Sequence, residues 1–269
     1  MGKIAVTGPN GRIGRELVKC GCMPIMANVT DYHVLQREVS YLNPDIIIHC
    51  AAYTDVDGCE NAPKKAAEVN TYGTYTLRQA FPGKIVYIST DYIFDGLNGP
   101  YKEDDKPNPI GIYGWSKLGG ELVLSEDDLI IRTTVLFDER GSNFVTQVIK
   151  QFLLGNVVKA PDNLHGSPTY VPHLAEGILA AIALNGVLNI AGNRVMSRYR
   201  LAQFIAEILG FGEIEPVSYT GKTRRPMNAG LDAGKAQLLN IPIFDPLEGI
   251  KELCPGSNGS PAIKSLLTA

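Results

Sequence analysis

A chain of 269 residues can form one α/β domain with an added lobe, or two small domains. Its 25 basic and 28 acidic residues leave a net charge of −3, and its 45% hydrophobic and 20% charged residues match a soluble globular protein. That charge excludes broad contact with nucleic acid or an anionic membrane, but leaves room for a local basic pocket holding one phosphorylated ligand.

Cys20, Cys22, Cys50, Cys59 and Cys254 are scattered and odd in number, with no Cys-x-x-Cys pair. A reducing, cytoplasmic compartment is expected. The four histidines are equally dispersed, so no metal site is expected. No stretch is long enough to span a bilayer, and the first residues lack the basic start, apolar run and cleavage site of a signal peptide.

Lys3-Ile4-Ala5-Val6-Thr7 is short, apolar and β-rich, and predicts a buried strand. It runs into Gly8-Pro9-Asn10-Gly11-Arg12-Ile13-Gly14, after which Ile13, Leu17 and Val18 mark one side of a helix. In a strand, glycine loop and helix of this kind, backbone N–H groups and the helix dipole can meet a pyrophosphate. The spacing is Gly-x-x-Gly-x-x-Gly rather than Gly-x-Gly-x-x-Gly, and a plain turn is the competing reading. Pro24-Ile25-Met26-Ala27 predicts a short second strand. A carboxylate at its end would hold the ribose hydroxyls of NADH; Asp31 is the candidate, Asn28 being neutral. Arg12 could instead approach the 2′-phosphate of NADPH, or be a solvated helix-start residue. Both cofactors stay open, with NADPH preferred.

Residues 32–42 predict a helix, and Asp45–Ala52 a strand apolar on both faces, as in a parallel sheet. Small residues at the end of that strand leave room for a ligand. A long helix over 61–80 carries Asn70. Lys84–Ile88 predicts a fourth strand, ending in Ser89-Thr90-Asp91-Tyr92. Thr90 would present its hydroxyl to the crevice at the strand ends, or cap a turn. A Pro- and Gly-rich loop, Gly96–Gly111, leads to a helix reaching about Glu126. On it Tyr113 and Lys117 stand four apart, on one face. A free phenol has a pKa of about 10, and an ammonium one turn away would lower it, making a tyrosine able to act as general acid towards a carbonyl oxygen.

Leu129–Arg132 predicts the next strand. Later segments predict helices to about Leu154, over 172–184 and over 198–209, with strands over 156–160 and 187–190. Thr223-Arg224-Arg225-Pro226 is the densest basic spot of this half, fit for a diphosphate or for solvent. The alternation of strands and helices points to an α/β fold, a Rossmann-type doubly wound parallel sheet with a smaller C-terminal α/β substrate lobe. The expected division is 1–140 for the dinucleotide-binding domain, with segments around 167–190 returning to it, 141–255 for the lobe, and 256–269 as a flexible tail.

Taken in order, the motifs are Thr7-Gly8-x-x-Gly11-x-x-Gly14, Cys50–Asp57, Ser89–Gly96, Tyr113-Gly114-Trp115-Ser116-Lys117-Leu118 and Arg132-Thr133. Then follow Gly141-Ser142-Asn143-Phe144, Gly166–Tyr170, Arg225-Pro226 and Leu231-Asp232. With this set, the chain resembles the dTDP-4-dehydrorhamnose reductase family of extended short-chain dehydrogenase/reductases over about residues 2–253. The resemblance implies catalysis by Thr90, Tyr113 and Lys117, in which Tyr113 protonates the sugar oxygen, Lys117 lowers its pKa and holds the nicotinamide ribose, and Thr90 orients the carbonyl. It implies cofactor contacts from Gly8, Gly11, Arg12, Ile13 and Gly14 at the pyrophosphate, from Asn28 and Val29 near the adenosine, and from Ala51, Ala52, Thr54, Tyr113 and Lys117. Substrate contacts would come from Val56, Thr90, Asp91, Tyr92, Asn143 and Arg225, the last at the diphosphate. The implied reaction is NAD(P)H-dependent reduction of the C4 keto group of a nucleotide-linked 6-deoxy-4-keto sugar, dTDP-4-dehydro-L-rhamnose above all. Another nucleotide-sugar reductase or epimerase is the alternative, as is a non-catalytic subunit resembling the β subunit of methionine adenosyltransferase. A homodimer is compatible with the resemblance. Three departures stand out, the first being a somewhat short chain with a compact second-strand region. Val135 replaces the tryptophan of the family's Arg-Thr-Ser-Trp segment, and no acid stands at Asn28.

Overall fold

Side-chain alternation along the short apolar runs decides both faces of the sheet. The computed structural model describes residues 2–254; the tail expected to be flexible, 256–269, lies outside the described residues. Six strands, β1 (Ile4–Thr7), β2 (Met23–Ile25), β3 (Ile46–His49), β4 (Lys84–Thr90), β5 (Leu129–Thr133) and β6 (Gly186–Asn189), pair in parallel in the order β6-β5-β4-β3-β1-β2. The main helices are α1 (Arg12–Lys19), α2 (Tyr32–Leu42), α3 (Gly73–Ala80), α4 (Ile112–Glu121), α5 (Phe144–Leu153), α6 (Val171–Ala180) and α7 (Arg198–Leu209). On one face Val6, Ile48, Val86, Ile88 and Ile131 pack against Leu17 of α1 and Leu174 and Ile178 of α6. On the other Ala5, Ile47, Ile85 and Tyr87 pack against Leu35 and Val39 of α2 and Leu77 of α3. This is the doubly wound α/β architecture that the alternating segments predict.

A second core joins α5 and α7 through Val148, Ile149, Phe152, Leu201, Ile205 and Leu209. Beside it Val158–Pro161 pairs in parallel with Ile214–Val217, a strand not anticipated from the sequence. Leu136–Phe137 pairs with Thr169–Tyr170, and β6 pairs with β5, so the chain re-enters the main sheet after visiting the lobe.

Two expected helices come out differently. A short helix, Val56–Asn61, precedes the run 61–80, which is itself divided into Pro63–Ala67, a π-helical turn Glu68–Tyr72, and α3. The π turn carries Asn70, whose side chain reaches out to bond Tyr53 and Ser116, and single π turns of this kind commonly mark functional sites. The helix expected to reach Glu126 stops at Glu121, because the Asp128 carboxylate draws the Ser125 N–H (2.9 Å) into a separate turn and ties that turn to β4 by accepting from Ile85 N (2.8 Å). Among the described residues no helix is long and apolar enough to cross a membrane, and no group of three or more His, Cys, Asp or Glu could hold a metal ion.

Candidate active site

The chain leaves β1 toward β2 on one side and returns to β3 on the other, which opens a crevice at the carboxyl ends of β1 and β3. Glycine makes the crevice possible. Gly8 sits at φ +66°, and a Cβ there would stand 2.8 Å from Ala51 N. A Cβ on Gly14 would stand 2.1 Å from Gly8 O, so the loop folds directly onto the first turn of α1. The first amides of that turn have no intrahelical partner, and Gly11 caps the helix without a side chain. Gly8, Gly11, Asn28, Val29, Ala51 and Ala52 line a cleft of about 310 Å³. Gly11, Arg12, Ile13, Gly14, Ala52, Thr54 and Tyr113 line a neighbouring one of about 460 Å³. Every expected dinucleotide contact borders one of these clefts or the cavity described next, and a helix N-terminus beside a glycine cradle is chemically suited to a pyrophosphate.

Two details differ from expectation. The Arg12 guanidinium is bound to the Asp138 carboxylate, to Arg140 O (2.6 Å) and to Ser142 O (2.8 Å), so it is drawn toward the lobe and does not border the Asn28 cleft. Asp31 caps α2 by accepting from Val34 N (3.1 Å); the acid nearest the end of β2 is Glu38, which accepts from Met26 N (2.8 Å) and Ala27 N (2.7 Å).

A third, polar cavity, about 450 Å³, lies beyond β4 and β5 and is lined by Val56, Thr90, Asp91, Tyr92, Tyr113, Lys117, Asn143 and Arg225. All three expected catalytic side chains and all expected substrate contacts therefore meet in one place. The Thr90 hydroxyl does both things the sequence allows. It faces the cavity, and it caps the turn Asp91–Ile93 by accepting from Tyr92 N (3.2 Å) while donating to Asp91 Oδ1 (3.0 Å). Burial pushes the Asp91 carboxyl up to about 6, against hydrogen bonds from Thr134 and Thr90. Tyr113 packs edge-to-face on Tyr92 at 5.4 Å. Asn143 caps α5 by accepting from Thr146 N (3.1 Å) and donates to Asp138 O (3.0 Å). Arg225 bonds the Tyr92 hydroxyl (3.0 Å), the Tyr219 hydroxyl (2.9 Å) and Asp57.

The spacing predicts that Lys117 lowers the Tyr113 pKa, and here the structure disagrees. Lys117 Nζ donates to Ile88 O at 2.7 Å and lies 4.0 Å over the Tyr87 ring, so its charge is directed at β4. Burial raises the Tyr113 pKa instead, with Thr90 opposing and Asp91 assisting. The same burial pushes Lys117 down to about 7, against the pull of Glu121 and Cys50.

Four groups were not legible as parts of the site. Asn70 clamps the loop after β3 to α4: its Oδ1 accepts from Tyr53 N (2.7 Å) and its Nδ2 donates to Ser116 Oγ (2.8 Å). His49 is buried between Thr7 Oγ1 (2.7 Å at Nδ1) and Thr74 Oγ1 (3.1 Å at Nε2). Because Thr74 donates to Asn70 O and Thr7 accepts from Ala51 N, the consistent assignment places the imidazole proton on Nε2. Arg198, at the first position of α7, lines the cavity, as does Thr134. A lone polar residue inside an apolar run is the signal for His49; Arg198 reads as a solvated helix start. Val135 forms part of the cavity wall at φ +49°, a left-handed conformation rare for a β-branched residue, with its carbonyl held by Thr169 N (3.1 Å).

A family model described as RmlD substrate binding domain matches residues 2–253. The spore coat polysaccharide biosynthesis protein SpsK of Bacillus subtilis is 34% identical over 247 residues, 84% of this chain and 87% of that one. The methionine adenosyltransferase 2 subunit beta of Bos taurus is 29% identical, over 93% of this chain and 86% of that one. The solved structure of dTDP-4-dehydrorhamnose reductase from Bacillus anthracis in complex with NADP superposes with a TM-score of 0.88 at 30% identity, covering 93% of this chain and 98% of that one.

Proposed function

The chain belongs to the RmlD substrate binding domain family, and on that premise we propose that it is an NAD(P)H-dependent nucleotide-sugar reductase. Its substrate is a nucleotide-linked 6-deoxy-4-keto sugar, with dTDP-4-dehydro-L-rhamnose to dTDP-L-rhamnose as the reaction. The observation that carries this reading is that Thr90, Tyr113 and Lys117 border one cavity adjoining the glycine-loop clefts. A nicotinamide held in these clefts would supply hydride to the sugar carbon. Tyr113, with its pKa raised by burial, keeps its proton at neutral pH and delivers it to the C4 oxygen. Thr90, its position fixed by the capped turn, would hold that oxygen in register with the tyrosine by turning to it the proton now given to Asp91. Lys117 would place its ammonium beside the nicotinamide ribose. The backbone amides at the start of α1 would take the pyrophosphate, which leaves the Arg12 side chain free to hold the loop at Asp138.

The test is nicotinamide oxidation with dTDP-4-dehydro-L-rhamnose generated in place, with NADPH and NADH in parallel. Tyr113→Phe is expected to abolish turnover while cofactor affinity stays within about twofold. Turnover in that variant at the wild-type rate would remove Tyr113 from the mechanism. A second reading, a regulatory subunit, draws on the similarity to the bovine subunit over 93% of this chain. It predicts cofactor binding without turnover on any keto sugar.

A further inference from the structure

Three guanidinium groups border the substrate cavity, and two are already answered. Arg12 meets Asp138 and two carbonyl oxygens, and Arg225 meets Asp57 and two tyrosine hydroxyls. Arg198 differs from both. Its main-chain N–H donates to Leu164 O (3.0 Å), and its side chain passes 5.6 Å from the Phe144 ring centre. Among the described residues its guanidinium makes no ion pair, and its buried Nη1 has no hydrogen-bond partner. Gly166 lies against it: a Cβ there would reach ordinary contact with Arg198 Nη1 at 3.8 Å, and would crowd Val135 Cγ2 at 2.7 Å. Burial lowers the pKa of Arg198, the fields of Tyr92 and Asp91 oppose this in part, and Arg225 repels it. Such a cation destabilises the ligand-free protein unless something else supplies the missing charge.

We propose that Arg198 is the principal partner of the substrate's diphosphate, closing a two-guanidinium clamp with Arg225; this rests on the nucleotide-sugar reading above. Two adjacent phosphates carry two charges, and a guanidinium fork meets such oxygens with paired hydrogen bonds. Asn143 and Phe144, which open the ten-residue helix α5, border the same cavity, so the positive end of that helix adds to the attraction. A single carboxylate on the sugar would use Arg198 but give no part to Arg225.

Calorimetric titration of the NADP-saturated protein with thymidine, dTDP, UDP and UDP-glucuronic acid tests the clamp in wild type, Arg198→Leu and Arg198→Lys. Arg198→Leu is expected to weaken dTDP or UDP by ten- to a hundredfold and to leave thymidine unchanged. Arg198→Lys keeps the charge but not the fork, and is expected to fall between; it also carries the test if the leucine variant does not fold. The ligand-free leucine variant should melt no lower than wild type, since it sheds an unpaired buried charge. Wild type that binds dTDP or UDP, with both variants binding it equally well, overturns the clamp alone. So does a loss of affinity equal for thymidine and dTDP, or a loss confined to UDP-glucuronic acid, which would reassign Arg198 to an acid on the sugar. Wild type that binds no nucleoside diphosphate overturns both the clamp and the nucleotide-sugar reading.

Discussion

Burial moves Tyr113 and Lys117 in opposite directions, one up and the other down to about 7. The consequence for binding has a sign: Lys117 loses its charge as pH rises through about 7, so affinity for an anionic dinucleotide should decline from pH 6 to 8.5. Fluorescence titration across that range is expected to show the decline in wild type and a flatter profile in Lys117→Met. His49 gives a second pH prediction. Its folded pKa is pushed down to about 3 by burial and then by Lys117, while an unfolded histidine titrates near 6.5. Between those values the unfolded chain binds the extra proton, so this contribution is full above pH 6.5 and is lost as pH falls toward 3. Urea unfolding at pH 8 and pH 5 should show wild type losing roughly 1–2 kcal/mol more than His49→Gln. Comparison with the variant removes the opposite trend from Asp91, whose raised pKa makes the folded state bind the extra proton between 3.8 and about 6.

The approach of α4 to the turn after β4 sets how far Thr90 stands from Tyr113. That approach depends on Gly114, where an added Cβ would lie 2.1 Å from Tyr92 O. Gly114→Ala is expected to push helix and turn apart and cut kcat at least about a hundredfold, since a shift of 1 Å suffices for that, with cofactor affinity nearly kept. Steady-state kinetics beside a cofactor titration checks both halves. The other end of α4 is held by Glu121, whose carboxylate takes Arg132 Nη2 (2.9 Å), Arg132 Nε (3.1 Å) and Ser89 Oγ (2.5 Å). Glu121→Gln leaves that arginine buried without its counter-charge, and a denaturant midpoint should register a loss of about 3–5 kcal/mol. The strands of the sheet were legible as apolar runs, and so was the Tyr113–Lys117 spacing, because both depend on neighbours in the chain. The π turn was not, since Asn70 answers to Tyr53 and Ser116, 17 and 46 positions away. Nor was the direction of Lys117, which follows from Ile88 O on a strand 29 residues earlier. Arg198 looked ordinary because its oddity is the lack of a partner, a property of the folded surroundings alone.

At the scale of the whole molecule, the cavity beyond β4 and β5 has walls from the sheet and the lobe, tied by Arg12 to Ser142 O and by Arg225 to Tyr92 and Asp57. A ligand that binds only the assembled form stabilises all of it. At a hundred times its dissociation constant, NADPH should add about 2.7 kcal/mol and raise the melting midpoint by roughly 5–10 °C. Gly14→Ala, whose new methyl would collide with Gly8 O at 2.1 Å, is expected to show no such rise in scanning fluorimetry. Val135 has a different bearing. Its left-handed backbone is pinned through its carbonyl by Thr169. The path of the chain there is imposed by the neighbouring strand rather than chosen by the valine. A mutation at this codon would therefore redraw one wall of the cavity and leave the scaffold standing. Descendants of one gene could diverge in the sugars they accept through that single position, with little need for compensating change elsewhere.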